Sequence, residues 1–86
     1  MSFQQASAPE FKLELGKILE RQRKHLNLTA SQVAAVCGTH QSVVSRYETG
    51  EMTPAANIFL RLMICLRLDL AELKQCLRFD SKGVSA

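Results

Sequence analysis

The chain has 86 residues, of which 47% are hydrophobic and 22% charged, with a formal net charge of +3. That length supports one domain, burying only about 60–65% of its unfolded surface, and the composition excludes wholesale disorder. A single small core leaves room for a binding module and little for an enzyme with a deep pocket; the mild basic excess fits a nucleic-acid partner without requiring one.

Met1–Pro9 is polar and small and reads as a loose tail, lacking the basic flank and apolar run of a secretion signal. From Glu10, Phe11, Leu15, Ile18, Leu19, Gln22 and Leu26 recur at helical spacing, with mostly charged residues opposite. They predict a first helix ending near His25, whose charge suits a helix C-terminus. Glu20 and Lys24 add an i,i+4 pair in the favourable order. Gly16 inside this helix costs about 1 kcal/mol relative to alanine.

Thr29 and Gln32 have the spacing of a capping box, with Leu28 and Val33 placed for a hydrophobic staple. A second helix follows from Ala30 to about Cys37 and stops at Gly38, a residue suited to a left-handed C-cap. Thr39 offers the next N-cap, so a third helix runs from His40 to about Glu48, with Gly50 to end it. Thr53 followed by Pro54 predicts a fourth helix from Pro54 to about Leu66, apolar on nearly every side. Asp69 with Glu72 opens a fifth helix carrying Leu70, Leu73 and Leu77, and residues 80–86 read as a second tail. The expectation is an all-α, five-helix bundle over residues 10–79.

The longest apolar stretch, Ile58–Leu70, is broken by Arg61, Arg67 and Asp69, so no membrane span is expected. Cys37, Cys65 and Cys76 are odd in number, lack paired zinc-site spacing and sit among apolar residues. They read as free core thiols in a reducing cytosol, with no metal and no cofactor.

The second and third helices, joined by a three-residue turn containing Gly38, have the outline of a helix-turn-helix. Ala34 is small where the two helices cross, and Val33, Cys37, Val44 and Tyr47 fill the space beneath them. Ser42, Ser45 and Arg46 point away from that core, with Gln41 on the flank. Such a face has few charges and many hydrogen-bonding groups, which suits base edges and phosphates in a major groove. Arg46 is the only Lys or Arg between Leu26 and Gly50.

The stretch from Leu26 to Pro54 resembles the Cro/repressor-type (XRE-like, lambda-repressor-like) helix-turn-helix family. Leu28-Thr29, Val33-Ala34, Gly38, Val44-Ser45-Arg46-Tyr47-Glu48, Gly50 and Pro54 carry the resemblance, which extends over residues 10–77. It implies a five-helix DNA-binding domain whose third helix enters the major groove. By position, His40, Gln41, Ser42 and Arg46 would meet bases or nearby phosphates, while Ser45 and the first turn of helix two would meet phosphates. Family members often carry Gln at the first position of helix two, where this chain has Ala30. The resemblance also implies a partly buried ion pair between Arg23 and Glu48.

No glycine-rich phosphate loop, Cys–His pair or carboxylate cluster supports an enzyme, so no catalytic residue is expected. The expected function is sequence-specific regulation of transcription on double-stranded DNA, in a bacterial or phage-encoded cytoplasmic protein that joins the nucleoid when bound. The surplus apolar surface of helices four and five favours a homodimer on a palindrome. The other reading is an antitoxin or co-regulator whose fold serves contact with a protein partner.

Overall fold

The computed structural model describes residues 8–77. These form α1 (Ala8–His25), α2 (Ala30–Cys37), α3 (Gln41–Thr49), α4 (Ala56–Leu66) and α5 (Leu70–Leu73), the last continuing into a 3-10 turn at Lys74–Leu77. The all-α, five-helix architecture is the expected one. Among the described residues there is no strand, and no helix is long and apolar enough to cross a membrane.

Each helix is set by local chemistry, with some boundaries moved by packing. α1 starts at Ala8, so Ala8 and Pro9 belong to the helix and not to a tail. A proline in the first turn sacrifices no intrahelical hydrogen bond. The rest of both expected tails lies outside the described residues. α2 opens with the full capping box: the Gln32 N–H donates to Thr29 Oγ1 at 3.0 Å and the Thr29 N–H to Gln32 Oε1 at 2.8 Å.

Two expected caps are corrected. Thr39 does not cap α3, because its N–H closes the end of α2 by donating to Ala34 O at 2.9 Å. His40 takes the N-cap position in extended conformation, without a side-chain cap. Thr53-Pro54 does not open α4 either. Pro54 is buried in the connection and Ala55 is extended (ψ 161°), so the helix begins only at Ala56. Burial of the proline ring outweighs the local start signal. At α5 the expected cap is present, Asp69 Oδ1 accepting from the N–H groups of Ala71 and Glu72.

The helices enclose one core, with Leu15, Ile18 and Leu19 from α1, Val33, Ala34 and Cys37 from α2, Val44 and Tyr47 from α3, and Leu62 and Leu66 from α4. Only one side of α4 is used, since Leu60 and Ile64 remain 59% and 80% exposed. The cysteines are free, with Cys37 and Cys76 buried and Cys65 half-buried. Burial pushes all three thiols above their ordinary range, where they behave as small hydrophobes.

α1 and α3 approach each other closely at Gly16. A methyl carbon added at Gly16 would lie 2.5 Å from the carbonyl oxygen of Glu48 and 2.6 Å from that of Tyr47. The helix-weakening glycine is therefore what lets α3 seat on α1. Two turns further along α1, Arg23 Nε donates to Glu48 Oε2 at 2.6 Å and its Nη2 donates to Oε1 at 3.1 Å. Its Nη1 donates to Leu28 O at 2.9 Å, tying in the connection before α2. The two charged side chains are only 15% and 10% exposed, and the hydrogen bond to Glu48 raises the Arg23 pKa despite the opposing effect of burial.

These contacts have measurable consequences. Gly16→Ala should lower the unfolding free energy by about 1–3 kcal/mol through overpacking, although the same change at an open helix site would gain about 1 kcal/mol; urea denaturation gives the sign directly. Glu48→Ala strands the Arg23 guanidinium and should cost about 2–4 kcal/mol, somewhat below the penalty of a wholly buried pair. Thermal unfolding should show Glu48→Gln, which keeps acceptor capacity, losing distinctly less.

Candidate nucleic-acid interface

α2 and α3 are joined by Gly38, Thr39 and His40, the three-residue turn expected for a helix-turn-helix. Gly38 is left-handed (φ 73°) and donates to Ala35 O, which reverses the chain and sets α3 across α2. Val33, Ala34, Cys37, Val44 and Tyr47 are buried between and beneath the pair, none more than 6% exposed. The C-terminal end of α2 is also held from α4, where Arg61 Nη1 donates to Cys37 O at 3.2 Å.

With Val44 and Tyr47 committed inward, the periodicity of α3 turns Gln41, Ser42, Ser45 and Arg46 to solvent, and all four are exposed. His40 is exposed at the head of the helix, and its carbonyl accepts from Val43 and Val44 at 3.0 and 3.2 Å. The structure thus brings His40, Gln41, Ser42, Ser45 and Arg46 onto one open surface, while Arg23 and Glu48 lie behind it in the scaffold. Gln32, two positions after Ala30, is occupied by the capping box and contributes nothing to that surface.

Two residues of this surface were not singled out in the sequence. Ser31 Oγ donates to Gln41 Oε1 at 3.1 Å, a side-chain bond from α2 to α3 that steadies the glutamine at the edge of the face. Glu51 Oε1 lies 3.9 Å from Arg46 Nε. The usable signal for Glu51 was Gly50, because a left-handed C-cap folds the following N–H groups back onto the last helical turn. Ser31 had no such signal, since its neighbour is ten residues away and depends on the angle between the helices.

The electrostatics are sparse. From Leu26 to Leu60 the sequence contains one Lys or Arg, namely Arg46. Positive charge elsewhere is partly consumed, Lys24 pairing with Glu20 at 3.1 Å and Lys17 with Glu14 at 3.8 Å. Among the described residues no three His, Cys, Asp or Glu side chains cluster to hold a metal. What the surface offers is hydrogen-bond donors and acceptors around one guanidinium, on a helix whose other side is fixed in a rigid core.

Comparison with known proteins agrees with this geometry. No curated protein and no solved structure matches the chain. The family model described as helix-turn-helix matches residues 19–73, from the middle of α1 to the end of α5. That match spans more than half of the chain and includes the crossed pair α2–α3, the capped turn between them and the supporting helix α4. The chain therefore belongs to the helix-turn-helix family, as a DNA-binding regulator of the Cro/repressor (XRE-like) type.

Proposed function

We propose that the protein binds double-stranded DNA sequence-specifically, as a non-catalytic homodimer on a palindromic operator, with α3 in the major groove. The observation that carries this reading is the exposure of Gln41, Ser42, Ser45 and Arg46 on a helix whose opposite side, Val44 and Tyr47, is locked in the core. Arg46 and Gln41 supply most of the discrimination, because a guanidinium pairs bidentately with guanine and a carboxamide with adenine. Ser42 and His40 meet bases or adjacent phosphates, and Ser45 meets phosphate. These shorter side chains fix register more than they read sequence.

One such helix covers about half a turn of DNA, and Ala30 supplies no phosphate anchor. Two copies related by a two-fold axis present recognition helices ~34 Å apart, one turn of the duplex. Support for dimerisation comes from the apolar side chains left open on α4 and at the start of α5. Leu60, Ile64 and Leu70 are 59%, 80% and 71% exposed. Covering such a patch with a second copy removes it from water and doubles the DNA contacts.

Selection from a randomised duplex pool should enrich a palindrome. On that sequence Arg46→Ala should lose about 1–3 kcal/mol of affinity, with an unchanged circular dichroism spectrum; unaltered affinity would refute the assignment. Sedimentation at micromolar concentrations should show the wild type as a dimer and Ile64→Glu as a folded monomer. Equal affinity per site for half-sites and palindromes, from a strict monomer, would exclude the dimer. Retention of a protein without any DNA preference would favour the antitoxin or co-regulator reading instead.

A further inference from the structure

We infer that Glu51 is a built-in competitor for Arg46, holding the guanidinium in the free protein so that DNA must displace a carboxylate to engage it. This rests on the reading of α3 as the DNA-contacting helix. The residue is placed by backbone geometry. α3 ends at Gly50 in the left-handed region (φ 84°), a conformation that glycine adopts without a side-chain penalty. The reversal lets the Glu51 N–H donate to Arg46 O at 2.9 Å, and the Met52 N–H reaches the same oxygen at 3.3 Å. Glu51 is thus anchored by its own main chain to the residue that its side chain faces, which keeps the carboxylate within reach of Arg46.

Charge and accessibility point the same way. Glu51 Oε1 and Arg46 Nε are 3.9 Å apart, with the side chains 66% and 57% exposed, so the pair is solvated and exchangeable. The acid within α3, Glu48, is fully engaged by Arg23 and cannot compete. Glu51 has no other ionic or hydrogen-bond partner among the described residues. Arg46, for its part, is the single Lys or Arg in the 35-residue stretch from Leu26 to Leu60. When Arg46 turns to a base or phosphate the pair opens, and the carboxylate is left next to the negative duplex. The cost falls on every sequence alike, and only a site offering Arg46 a good bidentate partner recovers it. Glu51 is accordingly a determinant of how weakly the protein holds random DNA.

The test is a double-mutant cycle on the full chain, read by fluorescence anisotropy with a random-sequence duplex and with the pool-selected duplex. Glu51→Gln keeps size and backbone bonds, and should tighten binding to the random duplex about 3–10-fold at low salt, with the gain shrinking as salt is raised. In an Arg46→Ala background the same substitution should lose most of that gain. An undiminished gain there would show a charge acting without Arg46 and overturn the inference. So would duplex binding by the wild type that Glu51→Gln leaves unchanged or weakens. If neither wild type nor Glu51→Gln binds any duplex, the DNA reading itself fails and takes the inference with it.

Discussion

The guanidinium of Arg23 makes three hydrogen bonds to two partners that belong to different parts of the helix-turn-helix, the Glu48 carboxylate at the end of α3 and the Leu28 carbonyl just before α2. From α1 it therefore fixes where α2 begins and where α3 finishes. The bond geometry is bidentate and nearly dry, which separates this pair from the solvated pairs on α1, Glu14–Lys17 and Glu20–Lys24. It forms only if α1 and α3 come unusually close, and Gly16 supplies that closeness by having no side chain against the Tyr47 and Glu48 carbonyls. The outward face of α3 inherits its position from these two contacts.

A second regularity governs the reversals. α1, α2, α3 and α4 all end with the same crossed pair of hydrogen bonds, an N–H reaching five residues back and its predecessor three. The left-handed residue is Gly38 after α2 and Gly50 after α3, but Asn27 after α1 and Arg67 after α4. Repetition of one stop motif keeps the connections short and determines the exit direction of these four helices. At α3 it also determines which side chain stands beside Arg46. The turn chemistry of the fold and the electrostatics of the interface are thus one arrangement.

The distribution of apolar surface follows from size. A core this small can take only one side of α4, so Leu62 and Leu66 are buried while Leu60 and Ile64 are open. The helix-turn-helix surface and this apolar surface lie on different elements, and neither compromises the other. A separate groove, lined by Phe11, Leu15, Phe59, Leu70, Leu73 and Cys76, runs between α1, α4 and α5 and is almost wholly apolar. Leu70, on its rim, was expected either to cover the apolar surplus of the fourth helix or to present it to a second subunit, and it is 71% exposed. α5 is a single turn, too short to lay a full stripe of leucines on the bundle, and the Leu77 side chain and Phe79 lie outside the described residues.

Much of this protein was legible in its sequence wherever the cause was local. The capping box of Thr29 and Gln32, the glycine stops at Gly38 and Gly50, the Asp69 cap and the spacing of Val44 and Tyr47 act within a few residues, so they can be read along the chain. That sufficed for the all-α class and for which side of α3 faces out. The Arg23–Glu48 pair was expected from family resemblance and not from spacing. Interactions between distant segments decided the rest. Gly16 looked like a flaw until α3 was seen against it, and Thr53-Pro54 looked like a helix start although burial of the proline delays α4. Ser31 meets Gln41 only because α2 and α3 cross at a particular angle, and Asn27 and Arg67 adopt left-handed geometry that neither residue type requires. A local signal fixes one backbone conformation at a time, whereas the angle and closeness of two helices are set by every side chain packed between them, and only the folded chain expresses that sum.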